Sequence, residues 1–182
     1  SPLPGLTPML LEHLTAFECN PDRTQSHDTP SPPPDYHPGY LQLICGPMFS
    51  GKTTLLAGWF HKVSRVAGVP CLVVNHSADQ RYTHSSDICT HDGTRVPSHM
   101  LRTLKECEML EGYSTARVIV INEIQFFGPE CIQWVQRACE EHGKMIICFG
   151  LDGTFQRKPF GDWLSQLMPL CDSVTKLHAV CT

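Results

Sequence analysis

The stretch with the clearest chemical meaning runs from residue 46 to residue 53. It reads G-P-M-F-S-G-K-T and fills every fixed position of the phosphate-loop pattern G-x-x-x-x-G-K-[ST]. In this pattern the glycines permit a tight turn of inward-pointing N–H groups, the lysine supplies positive charge and the hydroxyl can ligate Mg²⁺. The stretch therefore predicts a nucleoside-polyphosphate site built from Gly46, Pro47, Met48, Phe49, Ser50, Gly51, Lys52 and Thr53, with Thr53 as the magnesium ligand.

A phosphate loop has to leave a strand and open a helix, and its flanks are suited to both. Residues 41–45 are a short, mostly apolar run of the length of a buried strand. After the loop, apolar residues recur at helical spacing. The predicted apolar face of this helix carries Leu55, Leu56, Trp59, Phe60, Val63 and Val66.

Further strand and helix patterns alternate along the chain. Apolar runs predict strands over 71–75, 118–121, 145–149 and 174–180. Thr103 and Glu106 have capping-box spacing and predict a short helix that stops near Gly112, while a second helix runs from Pro129 to Gly143. The alternation predicts a three-layer α/β fold of the P-loop kinase type, with a parallel sheet and helices on both faces. Ligands of such folds bind at the carboxyl ends of the strands.

The first 39 residues differ in composition from the remainder. They hold nine of the 15 prolines, and proline removes backbone donors and restricts φ. We therefore expect residues 1–39 to be a disordered extension, with a docking peptide as the alternative, and residues 40–182 to form the core.

Charge and cysteine usage limit the possible partners. A net charge of -4 without a basic cluster argues against a nucleic-acid surface, and no apolar run is long enough to span a membrane. Ten cysteines without a C-x-x-C pair indicate reduced thiols rather than a disulfide framework. These features predict a cytoplasmic protein with a small-molecule substrate.

Four further stretches accompany the phosphate loop: D-Q-R-Y at 79–82, C-T-H-D at 89–92, E-I-Q-F-F at 123–127 and L-D-G-T-F-Q-R-K-P-F at 151–160. Together with the loop, they give the chain a resemblance to the cytosolic, zinc-containing thymidine kinases. It extends from about residue 41 to residue 181. It implies transfer of the ATP γ-phosphate to the 5′-hydroxyl of thymidine, with Mg²⁺, by a protein that forms oligomers, tetramers in this family.

The resemblance also implies roles for individual residues. Glu123 matches the general base that accepts the 5′-hydroxyl proton, and Arg81 matches the arginine that neutralises the transferring phosphoryl group. The ATP side further includes Asp79, Gln80, Asn122 and Gln125. The nucleoside pocket is implied to contain Met48, Leu151, Phe155 and Phe160, with Phe155 against the base.

Several positions depart from the family pattern. Asn122 replaces an aspartate, Gln80 replaces a threonine, and Ile124 replaces a glycine, so that a φ above zero at that position would be strained. Cys181 matches the first ligand of the family's zinc site, but the sequence ends at Thr182, which predicts an absent or truncated zinc and lid subdomain. The sequence could thus be a fragment of a working kinase, with Zn²⁺ bound if further ligands exist. The alternative is a catalytically degenerate nucleotide-binding domain that pairs with an active kinase domain.

Overall fold

Six parallel strands form the sheet that carries the phosphate loop. The computed structural model describes residues 39–78 and 86–179. Within these residues the strand order is β5-β2-β6-β7-β1-β8, and all neighbours pair in parallel. The strands are β1 (Tyr40–Gly46), β2 (Cys71–His76), β5 (His99–Leu101), β6 (Val118–Ile121), β7 (Met145–Leu151) and β8 (Ser173–Lys176), while β3 (Ile88–Cys89) and β4 (Arg95–Val96) form a separate antiparallel hairpin.

Helices cover both faces of this sheet. Helix α1 (Lys52–Phe60) follows the phosphate loop, whereas α2 (Glu130–Glu140) and α3 (Trp163–Leu167) pack on the core that contains Leu41, Leu43 and Cys45. Alternate residues of a strand point to opposite faces, so Ile44 faces the side covered by α1. The central strands β6 and β1 are buried along their whole length, as expected for parallel strands between two helical layers. The predicted three-layer α/β architecture is confirmed.

The described residues also contain four short helical segments. They are a π-helical turn at His61–Val66 and 3₁₀ turns at Leu104–Met109, Ile124–Phe126 and Met168–Leu170. The backbone N–H of Thr103 donates to Oε1 of Glu106 over 3.0 Å, which confirms the predicted capping interaction. None of the helices within the described residues has the length and apolar character that a membrane crossing requires.

Two predicted elements need correction. Val66 was expected on the apolar face of the first helix but is 73% exposed. The wider π turn, in which the N–H of Ala67 reaches the carbonyl of Lys62, rotates Val66 away from the sheet. The last strand was expected to start at residue 174 and continue to 180, but it spans Ser173–Lys176. Its partner among the described strands, β1, ends where the phosphate loop begins.

The division of the chain into an extension (residues 1–39) and a core (residues 40–182) remains a prediction. Residues 1–38 lie outside the described residues, as do 79–85 and 180–182. The same holds for the sites expected at Asp79, Gln80, Arg81 and Cys181. The cysteines of the described part are free thiols.

Candidate active site

The phosphate loop encloses the side chain of Lys52. Its Nζ donates to the carbonyls of Gly46 at 3.0 Å and Pro47 at 2.6 Å, and to Oγ of Ser50 at 3.3 Å. Lys52 is only 9% exposed, so its positive charge is held inside the loop rather than in solvent. This is the position from which a lysine can neutralise the terminal phosphates of a nucleotide.

Backbone conformation shapes the same loop. Gly51 has a φ of 82°, a left-handed conformation that glycine adopts without a steric penalty, and it forms the N-cap of α1. A Cβ on Gly46 would lie 2.8 Å from the carbonyl oxygen of Leu177, so this position requires glycine. The N-terminus of α1 adds partial positive charge beneath the loop.

Glu123 lies immediately after β6, at the carboxyl end of the sheet. It has a φ of 53° and a ψ of 45°, and its side chain is only 7% exposed. A left-handed conformation at a residue other than glycine costs about 1–3 kcal/mol and is concentrated at functional sites. The left-handed backbone conformation that was considered for Ile124 occurs instead at Glu123. Ile124 begins a 3₁₀ turn and is fully buried.

The phosphate loop and Glu123 line one cavity of about 530 Å³. Within the described residues that line it, Lys52 is the one cation other than histidine, and Glu123 is the one carboxylate. The predicted site residues that it brings together are Met48, Phe49, Ser50, Gly51, Lys52, Thr53, Glu123 and Leu151. A cavity of similar volume beside α2 is a poorer polyphosphate site, because the carboxylates that line it (Glu130, Glu140 and Glu141) outnumber its cations, Lys105 and Arg137.

Two predicted ATP-side residues lie behind this cavity. Asn122 is buried, and its Nδ2 donates to Oδ1 of Asn75 over 3.2 Å. Gln125 connects two strand ends: its Nε2 donates to Oε2 of Glu123 at 2.5 Å, and its Oε1 accepts the N–H of Leu151 at 3.1 Å. Both residues are therefore in contact with the protein's own polar groups.

The predicted nucleoside-pocket residues are distributed unevenly. Met48 and Leu151 line the cavity, and Phe160 packs edge-on against Phe126, with ring centroids 5.7 Å apart. Phe155 is 94% exposed and is not among the lining residues. Its expected contact with the base stays a prediction.

Four lining residues had no role assigned from the sequence, namely Thr54, Ala78, His91 and Phe126. Phe126 belongs to the E-I-Q-F-F stretch, and His91 belongs to C-T-H-D. The hydroxyl of Thr90 and the N–H of Thr94 hydrogen-bond the carboxylate of Asp92 and lower its pKa. This turn joins β3 to β4 and presents His91, whose ring stacks on Phe49 at a centroid distance of 6.5 Å. Asp92 followed by Gly93 is the sequence signal for such a turn, because an aspartate side chain can hydrogen-bond the backbone N–H two residues further on.

No group of three or more His, Cys, Asp or Glu side chains within residues 39–78 and 86–179 is arranged to hold a metal ion. The cysteine before the loop, Cys45, is a neutral thiol at ordinary pH, since burial and the nearby charge of Asp152 raise its pKa. Nucleophilic chemistry by this thiol is therefore not favoured.

A parallel sheet with a phosphate loop at the end of its first strand defines a P-loop nucleotide-binding protein. The family model for thymidine kinase matches residues 39–182. The thymidine kinases of Vaccinia virus (strain Western Reserve) and Variola virus are each 43% identical over 145 residues, which cover 79% of this chain and 76% of the viral proteins. The chain belongs to the thymidine kinase family and is an ATP-dependent phosphotransferase acting on a nucleoside.

The solved structures are more distant. The Pif1 helicase from Candida albicans aligns with a TM-score of 0.48 and 12% identity, covering 78% of this chain and 37% of the helicase.

Proposed function

We propose that this chain transfers the γ-phosphate of ATP to the 5′-hydroxyl of thymidine, producing dTMP. The observation that carries the proposal is a cavity lined, within the described residues, by both the phosphate loop and the buried residue Glu123. Phosphoryl transfer needs the donor phosphate and the acceptor hydroxyl to be held in line, with charge stabilisation between them.

On the ATP side, residues 46–53 bind the polyphosphate. Backbone N–H groups of the loop and the ammonium of Lys52 neutralise the charge of the polyphosphate. Because Gly46 has no side chain, its backbone can pack closely against the backbone of Leu177. Thr53, in the first turn of α1 and lining the cavity, is the residue that would hold Mg²⁺ through its hydroxyl. Bound Mg²⁺ neutralises charge on the phosphates during transfer.

Glu123 acts as the general base. Its carboxylate is the acidic group among the described cavity residues, and burial on a rigid strand end keeps it out of bulk water. A base that accepts the 5′-hydroxyl proton contributes typically 10²–10⁴-fold, roughly, to the rate.

The nucleoside binds beside Met48, Leu151 and the aromatic pair Phe126–Phe160. Aromatic and apolar side chains suit a flat base because they bury its faces without demanding hydrogen bonds. Arg81 and Asp79 complete the phosphate site in this proposal, with Gln80 between them, and Phe155 covers the base. The cytoplasmic location, the tetramer and the zinc ligand Cys181 stay predictions from the resemblance.

The test is ADP formation from Mg·ATP by the purified chain, with and without thymidine. Thymidine should stimulate turnover, and Glu123→Gln should lower kcat by about 10²-fold or more while ATP binding, measured by calorimetry, stays within about twofold. Glu141→Gln makes the same chemical change on an exposed residue after α2 and should leave kcat unchanged. Full turnover in Glu123→Gln would remove this residue from the mechanism.

A second candidate function is a catalytically degenerate domain that binds nucleotide and pairs with an active kinase domain. The observation that favours it is Asn122, whose amide donates to Asn75 and brings no negative charge to the metal–phosphate region. This candidate predicts Mg·ATP binding by calorimetry with no stimulation of ADP formation by thymidine. Thymidine-dependent turnover by the isolated chain would exclude it.

A further inference from the structure

Gln125 makes two hydrogen bonds that connect the ends of β6 and β7. Its amide nitrogen donates to the carboxylate of Glu123 and its amide oxygen accepts the backbone N–H of Leu151. An amide is the side-chain type that can do both at once, since it carries a donor and an acceptor on one rigid group.

Glu123 requires such support. Its left-handed backbone conformation is unfavourable for a residue other than glycine and persists only where surrounding contacts determine it. A catalytic carboxylate also has to be held within about 0.5 Å of its working position, which buried hydrogen-bonding neighbours achieve. The short bond from Gln125 restricts the rotation of the Glu123 carboxylate.

The amide oxygen of Gln125 contacts Leu151, a residue that lines the cavity. Leu151 lines the cavity together with Glu123, so one side chain fixes the spacing between the base and a residue of the nucleoside side. The preceding residue is Gly150, and a Cβ there would lie 3.0 Å from Oε1 of Gln125. The absence of a side chain at position 150 thus leaves room for the amide of Gln125.

We propose that Gln125 is a positioning residue, which orients the carboxylate of Glu123 and ties it to the Leu151 backbone, and that it is not a ligand of ATP. The proposal rests on the proposed function of Glu123 as the base. It differs from the role in ATP binding that the resemblance implies for Gln125. A residue that acts only through Glu123 affects kcat, whereas an ATP ligand affects the KM for ATP.

The experiment is a double-mutant cycle in the full chain, with single-turnover phosphoryl transfer and ATP calorimetry as readouts. Gln125→Met keeps the side-chain length and removes both hydrogen bonds. It should lower the transfer rate at least tenfold, with the Kd for Mg·ATP within twofold of the unchanged protein. In the Glu123→Gln background the same substitution should change the rate less than twofold, because the group that it positions is already disabled.

Gln125→Glu provides a second variant of almost the same shape, in case Gln125→Met does not fold. When ionised, it keeps an acceptor for the Leu151 N–H but replaces the donor to Glu123 with a like charge, so the transfer rate should again fall at least tenfold at neutral pH. Gln133→Met, on the exposed face of α2, is the matched control and should match the unchanged protein in rate and in ATP affinity.

The outcomes separate the two proposals. A loss of rate in Glu123→Gln together with normal rates in both Gln125 variants would overturn the positioning role alone. A tenfold rise in the Kd for Mg·ATP, or equal rate losses in both backgrounds, would make Gln125 a direct ligand instead. Normal turnover of Glu123→Gln would overturn the proposed function itself.

Discussion

Asn122 and Asn75 are hydrogen-bonded to each other in the interior, at the ends of neighbouring strands β6 and β2. The Nδ2 of Asn122 donates to Oδ1 of Asn75 over 3.2 Å, and the same oxygen accepts the backbone N–H of His76 at 3.0 Å. The second bond fixes the orientation of the Asn75 amide, so Asn75 presents an acceptor to position 122. A donor is therefore required there, and an aspartate would not supply one.

The first prediction follows from this pair. Asn122→Asp, which restores the residue expected from the family pattern, should lower the free energy of unfolding by about 1–3 kcal/mol, because it places two acceptors together and buries a charge. Urea unfolding without nucleotide measures the change. Gln133→Glu makes the same amide-to-carboxylate exchange on the surface of α2 and should stay within about 0.5 kcal/mol. If Asn122→Asp and the unchanged protein had the same free energy of unfolding, the Asn75 side-chain amide would be able to rotate and present its NH₂ group to position 122.

The second prediction concerns the enclosed lysine. Lys52→Met should reduce kcat/KM for ATP by roughly two orders of magnitude or more, since the charge that faces the terminal phosphates is lost. Steady-state kinetics and ATP calorimetry measure the loss, and circular dichroism checks the fold. Lys105→Met removes a charge from an exposed position and serves as the control. A Lys52→Met protein with unchanged ATP affinity would contradict the phosphate-loop assignment.

The parts of the fold that could be read from the sequence are those fixed by local patterns. Buried parallel strands are continuous apolar runs, so residues 118–121 were identifiable on their own. The phosphate loop combines a glycine turn, a lysine and a hydroxyl within eight residues, and its strand and helix follow directly. The carboxyl ends of parallel strands meet at one edge, which is why the phosphate loop and the residues after the other strands were expected near each other, whereas the pocket role of Leu151 came from the family resemblance.

The features that the sequence did not reveal depend on distant contacts. The conformation after β6 is set by Ile124, which is buried against Gly150, so the unfavourable φ belongs to Glu123 rather than to its neighbour. His91 reaches the cavity through the β3–β4 hairpin, and its stacking on Phe49 has no local signature. The helix α3 was not predicted because it has only five residues and little periodicity.

The third prediction tests the close packing at position 150. A Cβ there would lie 2.8 Å from Cη2 of Trp163 and 3.0 Å from Cγ2 of Ile124. Gly150→Ala should therefore lower the free energy of unfolding by about 1–3 kcal/mol and reduce kcat, since the atoms displaced include the Gln125 amide. Chemical denaturation and steady-state kinetics measure the two effects.

Gly58→Ala is the control for this substitution. Gly58 lies inside α1, and apart from its chain neighbours and the backbone of its own helix no atom of the described residues lies within 4 Å of the added Cβ, so alanine should stabilise the helix by roughly 0.5–1 kcal/mol. If Gly150→Ala did not lower the free energy of unfolding, the packing between β7 and the turn after β6 would have room for an added methyl group, contrary to the distances at Gly150.

The fourth prediction concerns pH and the buried thiols. Burial raises the pKa of Cys107, Cys131 and Cys139 to about 12, whereas an unfolded thiol titrates near 9. Between these values the folded state keeps protons that the unfolded state has released. Stability is therefore unaffected by these thiols below about pH 9 and falls as the pH rises towards 12, by about 1.4 kcal/mol per pH unit for each thiol.

Cys131→Ala isolates one of these contributions. At pH 7 the variant should be less stable by about 1 kcal/mol, because a buried sulfur is removed from the core. Between pH 9 and pH 10 the difference should shrink by about 1 kcal/mol and then reverse, since the variant has no thiol whose ionisation favours the unfolded state. Urea unfolding at pH 7, 9 and 10 measures this trend. A stability difference that stays constant across that range would mean that Cys131 is accessible to solvent in the folded protein, contrary to its buried position on the inner face of α2.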